Sequence, residues 1–338
     1  MPIDIVLDAM GSDKAPDPEI RGAVLACRHL DVRVHLVGPE ELLRPKLREC
    51  LKGYRKGERP PVFLVQASEW ISMEDKAALA VRQKRDSSMR VGLKMVREGR
   101  AAGFVTAGNT GAAMATAKMV LGSLSGIDRP ALATSLPTTS GSPCVLLDAG
   151  ANVDSDPENL VQFALMGHVF SKNVLHVASP RVGLISIGEE DLKGNTLTRD
   201  TLPLLKELKG INFIGNVEGR DLFNGRCDVA VCDGFVGNVA LKTCEGTAKL
   251  LSVSLKESLK STVTSQVGAL LSRKAFMAFK KRLDYSEYGG AQLLGVRGPV
   301  IVGHGSSNER AIMNCIRVAA EFAAAEVASG IEAAVARR

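Results

Sequence analysis

Short β-branched runs that stop at Gly, Asp or Asn alternate along this chain with longer stretches whose apolar residues recur every three or four positions. The runs predict strands over Ile3–Leu7, Val32–Val37, Val62–Gln66, Gly103–Thr106, Ala131–Ser135, Cys144–Asp148, Val182–Ile187, Asn212–Ile214, Val229–Cys232 and Val300–Val302. Helices are expected over 17–30, 39–52, 75–84, 87–99, 110–121, 157–172, 198–208, 236–283 and 307–328. Strand-then-helix alternation is the pattern of an α/β domain with a parallel sheet. Runs such as Val-Arg-Val-His-Leu-Val and Gly-Leu-Ile-Ser-Ile are nearly continuous, as strands covered on both faces require. No internal repeat or low-complexity segment interrupts the pattern, and Lys52–Pro61 is short enough to be a surface loop. The expected organisation is one catalytic domain over 1–330, a helical appendage at 247–285 within it, and a tail at 331–338.

Composition narrows the class. With 338 residues, 45% of them apolar, the chain can bury a sizeable core, which excludes disorder and fibre. Its apolar runs are a few residues long, against the roughly 18–20 needed to span a bilayer, and Asp4 and Asp8 sit where a signal peptide would be basic, so a cytoplasmic location is expected. Seven scattered Cys without a Cys-x-x-Cys pair read as reduced, buried thiols. The formal net charge of +6 is concentrated: Lys256–Arg282 holds seven basic residues and one acid, so the rest of the chain is neutral. Nucleic-acid binding loses its electrostatic basis.

Ligands of parallel sheets bind at the carboxyl ends of strands, so the residues just beyond each strand carry the candidate chemistry. Six such loops combine Gly with small polar residues, and several open into a helix. They contribute Asp8, Gly11 and Asp13; Asn109, Thr110 and Gly111; Asp148 and Asn152; Lys193 and Asn195; Asp233 and Asn238; and His304, Gly305 and Ser306. Each loop alone is compatible with plain capping, but six together point to one shared anion site. None is a Walker A loop or a full dinucleotide fingerprint. Lys193 is the one cation embedded in them, suited to phosphate or a developing oxyanion. Asn238 reads equally as a helix cap or as a group that orients substrate, and His304 as an acid/base or a structural histidine. No Gly-x-Ser-x-Gly elbow, no Cys–His pairing and no metal-ligand spacing occurs, so neither a covalent nucleophile nor a metal or other cofactor is expected.

Between Leu250 and Leu283 the pattern is helical, broken near Ser261–Ser265 or Ser272. Val263, Val267, Leu270 and Leu271 recur at i, i+4, i+7 and i+8, Phe276 continues the stripe, and Arg273, Lys274 and Lys280 flank it. Such a surface suits an anionic lipid interface or an acidic protein.

The ordered motifs Asp-Ala-Met-Gly-x-Asp, Ala-Gly-Asn-Thr-Gly-Ala, Leu-Asp-Ala-Gly-Ala-Asn, Lys-Gly-Asn, Asp-Gly-Phe-Val-Gly-Asn and Tyr-Gly-Gly-Ala-x-Leu-Leu-Gly resemble the PlsX family, acyl-acyl-carrier-protein:phosphate acyltransferases, over residues 3–325. The resemblance implies a homodimeric three-layer α/β/α fold with a mostly parallel sheet, akin to the phosphotransacetylase and isocitrate-dehydrogenase folds, with a projecting helical hairpin. It implies transfer of a fatty acyl group from acyl carrier protein to inorganic phosphate, giving acyl phosphate that a downstream glycerol-phosphate acyltransferase uses for phospholipid synthesis. It assigns catalysis to Lys193 and Asn238 and peripheral membrane attachment to the hairpin. The first loop departs from the family: Ser12 stands where a second Gly is usual and Lys14 where a His is. With no nucleophile in sight, direct attack of phosphate on the thioester is the expected mechanism. An isocitrate-dehydrogenase-like oxidoreductase and a non-enzymatic membrane scaffold are the two rival readings.

Overall fold

The computed structural model describes residues 2–55, 57–283 and 289–338; side chains at 280–283 are also outside the described set, which removes the expected Lys280 contact and Tyr288 of the last motif from view. Among the described residues eleven strands form one sheet in the order β3-β2-β1-β4-β11-β10-β5-β6-β9-β7-β8. They are β1 Ile3–Asp8, β2 Val32–Gly38, β3 Val62–Gln66, β4 Gly103–Thr106, β5 Ala131–Leu136, β6 Cys144–Leu147, β7 Arg181–Ile185, β8 Asn212–Val217, β9 Val229–Val231, β10 Ala291–Leu294 and β11 Val300–Val302. The central strands β4, β6 and β9 are buried at every position, and the edge strands β3 and β8 are the most exposed, as sheet position dictates.

The sheet changes sense in its middle. Strands β3, β2, β1, β4 and β11 are mutually parallel, and β6, β9, β7 and β8 are parallel to one another. Between them β10 runs antiparallel to β11 and β5, and β5 runs antiparallel to β6. The two parallel halves therefore point in opposite directions. Their carboxyl-end loops leave from opposite edges, which corrects the expectation that six loops meet at corresponding positions.

Helices cover both faces in three layers. On one face α1 (Asp17–His29), α2 (Glu40–Cys50), α6 (Pro157–Asn173), α7 (Thr196–Glu207), α12 (Glu309–Ala324) and α13 (Val327–Ala336) close a continuous core reaching from Leu36 to Val182. On the other face the core is split. One cluster under α3 (Ala77–Gln83), α4 (Ser88–Arg97) and α5 (Thr110–Leu121) covers the first half of the sheet. A second cluster under α8 (Asp221–Asn224) and the base of α9 (Gly234–Lys260) covers β6 and β9. The gap between these clusters lies over β5.

Three elements differ from the sequence reading, one of them the short α8, which falls in no expected helix. Residues 331–336, expected as a tail, are the second half of α13, whose Val327 and Ile331 are buried where the helix packs on α6. Strand β10 was not expected at all. The appendage is helical as read: α9 continues past the body, and α10 (Val263–Leu271) and α11 (Arg273–Leu283) follow turns at Ser261–Thr262 and Ser272. Only Gly234 and Gly237 of α9 are buried.

Gly237 seats α9 on the sheet, because a Cβ there would lie 1.8 Å from the Asp148 carbonyl oxygen. Gly237→Ala is expected to lower stability by about 1–3 kcal/mol through forced separation of the helix base from the β6 end, measured as a fall in Tm, whereas Gly246→Ala on the outer helix should leave Tm unchanged or slightly higher.

Candidate active site

A cleft of about 520 Å³ occupies the gap over β5. Its floor is mostly apolar, built from Leu132, Leu136, Ala291 and Val302, with the polar Thr134 among them. One rim comes from the first half of the sheet: Asp13, Gly108, Thr110, His304 and Gly305. The facing rim comes from the second half: Ala149 and Gly150, with Asn238, Leu241, Lys242 and Glu245 on successive turns of α9. Opposite strand directions place loops from both edges along one groove that runs the length of β5.

The first rim is held by a relay that starts at β1. The Asp8 carboxylate is buried and accepts from the Met10 N–H at 3.1 Å and the Thr106 hydroxyl at 2.8 Å. Thr106 Oγ1 in turn accepts from the Gly108 N–H at 3.0 Å. The Asp13 N–H donates to the Gly305 carbonyl at 2.9 Å, joining the β1 and β11 loops. Gly11 makes that packing possible, since a Cβ there would lie 2.8 Å from the Gly108 nitrogen. Burial pushes the Asp8 carboxyl above its ordinary pKa, against the hydrogen bonds that lower it. His304 Nδ1 lies 2.8 Å from Ser306 Oγ and accepts from the Ser306 N–H at 3.2 Å, so in the neutral ring the proton is on Nε2.

The second rim is organised by Asp148. Its carboxylate accepts from the backbone N–H groups of Leu132, Gly150, Ala151 and Asn152, at 2.6–3.1 Å, and from Asn152 Nδ2 at 2.9 Å. Burial still raises its pKa. Asn152 also donates to the Pro130 carbonyl, and its own carbonyl receives the Gly234 N–H at 2.7 Å, tying this loop to the start of α9.

Of the residues expected to bind, Asp13, Thr110, Asn238, His304 and Gly305 line the cleft. Asp8, Asp148 and Asn152 lie behind it and hold the loops. Asn109, Asn195 and Asp233 are helix N-caps, accepting from Ala112, Thr198 and Val236 N–H respectively. Asn109 also donates to the Met73 and Asp75 carbonyls, and Gly111 packs beside Ala77. The capping of α9 by Asp233 leaves Asn238, one turn in, facing the cleft. Lys193 is exposed in the β7–α7 loop, its stem beside Gly188, and does not wall the cleft.

The cation in the cleft wall is Lys242, which sequence reasoning missed. It pairs with Glu245 at 2.8 Å. The signal was available: Asn238, Leu241, Lys242 and Glu245 stand at i, i+3, i+4 and i+7 on one helical face. Also missed was Thr134, whose buried Oγ1 has no hydrogen-bond partner in the described residues although it lies on the cleft floor. Cys315 reaches the cleft too, but burial pushes its thiol up to about 12, so it is no thiolate at neutral pH. Ser307 Oγ, another cleft group, donates to the His304 carbonyl at 2.6 Å rather than to a base. Among the described residues no cluster of His, Cys, Asp and Glu is placed to hold a metal ion.

The chain matches the model of a family described as fatty acid synthesis protein over residues 3–330. It is 67% identical over 330 residues to a phosphate acyltransferase of Acidobacterium capsulatum, covering 98% of this chain and 96% of that one. A phosphate acyltransferase of Koribacter versatilis is 62% identical over 327 residues, covering 95% and 90%. The EutD phosphotransacetylase of Staphylococcus aureus has the same fold, with a TM-score of 0.59 at 14% identity, over 95% of this chain and 94% of that chain.

The unpartnered Thr134 hydroxyl tests whether the floor of the cleft is used. Thr134→Val should leave Tm unchanged or raise it, since no hydrogen bond is lost, yet lower kcat/KM by about tenfold if the hydroxyl meets substrate.

Proposed function

Since the chain belongs to the PlsX family of phosphate acyltransferases, we propose that its cleft transfers a fatty acyl group from the thioester of acyl carrier protein to inorganic phosphate. The observation that carries this reading is the division of one cleft into an apolar floor over β5 and two polar rims from opposite edges of the sheet. The floor suits an acyl chain and the rims suit phosphate and a polarised carbonyl. A phosphate oxygen attacks the thioester carbon, a tetrahedral oxyanion forms, the C–S bond breaks, and the released thiolate takes up a proton. Gly108 and Gly150 bring backbone close to the groove, Asn238 orients the carbonyl, and His304 through Nε2 and Lys242 stand where negative charge accumulates.

Lys193 is proposed as the second catalytic cation, acting from the adjoining loop of the same half of the sheet. Direct attack is favoured over an acyl-enzyme because the cleft's Cys315 is held as a thiol and Ser307 faces a carbonyl. The oxidoreductase and scaffold readings give way to family membership. A homodimer is supported by Phe235 and Val239, exposed at i and i+4 on α9. A downstream glycerol-phosphate acyltransferase is the proposed consumer of the acyl phosphate.

Incubation with acyl carrier protein thioester and phosphate should yield free thiol and hydroxylamine-trappable acyl phosphate in equal amounts; thiol release without acyl phosphate, or an acyl group trapped on Ser or Cys, would refute the mechanism. Lys193→Ala should lower kcat by roughly 10²-fold, and near-normal turnover would return it to the surface.

The appendage is proposed as a peripheral attachment to an anionic membrane from the cytoplasmic side, with carrier-protein docking as its alternative use. Val263, Leu270 and Leu271 are 78%, 71% and 83% exposed, Val267 is also exposed, and Phe276 is half-buried, beside exposed Arg273 and Lys274. Among the described residues no helix is long and apolar enough to cross a bilayer. Leu271→Asp should abolish co-sedimentation with anionic vesicles and spare turnover of soluble acyl carrier protein; unchanged co-sedimentation would remove this stripe as the anchor.

A further inference from the structure

Beneath the β1–α1 loop lies a buried polar group that the reaction as described does not use. Glu19, in the first turn of α1, is fully buried. Its Oε1 accepts from the Ser12 N–H at 2.9 Å, while its Oε2 and the neighbouring Ser12 Oγ are buried with no hydrogen-bond partner in the described residues. Ser12 is the position at which this chain departs from the family's usual glycine. The loop so held, Met10–Asp13, continues into the cleft at Asp13 and is tied there to Gly305.

We propose that Glu19 is a positioning residue for the phosphate-side rim, and that its neutral form holds the Met10–Asp13 loop in place. The proposal rests on the phosphate-acyltransferase reading of the cleft. A proton on Oε2 gives Ser12 Oγ something to accept and leaves Oε1 to receive the Ser12 N–H, so both orphan atoms are satisfied. Ionisation instead leaves a fully buried charge that the Ser12 N–H and hydroxyl can reach but that no cation among the described residues pairs, beside the Asp8 carboxylate that already occupies the end of β1. Burial, with the Asp8 charge added, raises the Glu19 carboxyl to about 7, so this change falls near neutrality. The charged residues of the loop and of the packed elements, Asp13 and Lys14, Asp17 and Arg21 of α1, and Glu309 and Arg310 of α12, are exposed, Lys46 of α2 is paired with Asp17, and the charge that acts on Glu19 is Asp8.

Glu19→Gln reproduces the neutral form, with a carbonyl for the Ser12 N–H and an amide donor in place of the hydroxyl. Acyl phosphate formation is compared in the two proteins with inorganic phosphate as acceptor, whose own titration is common to both. The ratio of variant to wild-type kcat/KM should climb as pH rises above about 7, on the order of tenfold by about pH 8.5. Glu19→Leu, lacking the acceptor, should raise KM for phosphate at every pH. Stability supplies a second readout. A carboxyl raised in the folded state makes wild type lose stability as pH rises from about 4.5 to about 7, so its Tm relative to Glu19→Gln should fall across that interval. A constant kcat/KM ratio across pH overturns the proposal, even where the Tm difference titrates, because Glu19 is then structural only. Wild type that makes no acyl phosphate at any pH fails the reading on which the proposal stands and takes the proposal with it.

Discussion

The reversal of strand direction at β10 and β5 is the constraint from which the rest of the molecule follows. Every backbone group in an eleven-stranded sheet must find a ladder partner, and two parallel halves of opposite sense can share one sheet only through strands that pair antiparallel. Helices then cover one face without interruption and the other face in two blocks, because each block follows its own half. The uncovered strip over β5 is the cleft. Had all the strands run in one direction, the six polar loops would lie along a single edge and no groove would be walled from both sides.

Carboxylates buried behind the cleft replace the rigidity that the missing helix layer would have given. Asp148 gathers four backbone N–H groups and an amide, and Asp8 reaches Gly108 through Thr106. Their burial cost is offset in part by hydrogen bonds, which is why the same residue types that suggest chemistry in the sequence serve here to shape the backbone that does it. Among the side chains that meet the groove, Asn238, Thr134, His304 and Lys242 are neutral or basic, while the carboxylate of Glu245 is paired with Lys242 and Asp13 stands at the rim. This suits a site whose ligands are anions.

Most elements were legible because period and punctuation agreed. Strands such as Val229–Val231 are β-branched and bounded by Asp, and the caps Asn109, Asp156 and Asn195 stand at helix starts. Strand β10 was not legible, since Ala-Gln-Leu-Leu has no β-branched residue and no alternation; it exists because β11 and β5 each need a partner. α13 was hidden by Gly330 and by its separation from α12 by only two residues. Loop composition identified which strand ends matter but not which side chain turns inward. Asp8 and Asp233 cannot be told from Asp13 by composition, because the difference lies in which backbone N–H groups surround each carboxylate. Lys242 escaped notice because it belongs to a helix face rather than to a loop.

Helix α9 joins two environments in one rigid rod. Its 27 residues span about 40 Å, with the first three turns forming a wall of the cleft and the far end carrying the exposed apolar tip. A rod seated at one end magnifies angle into displacement. The close seat at Gly237 against Asp148 therefore sets, with leverage, the height and tilt at which the tip stands from the body, and the same contact fixes the aim of Asn238. Shape at the tip and alignment at the cleft are two readings of one joint, so a chain cannot drift in either without the other being reset.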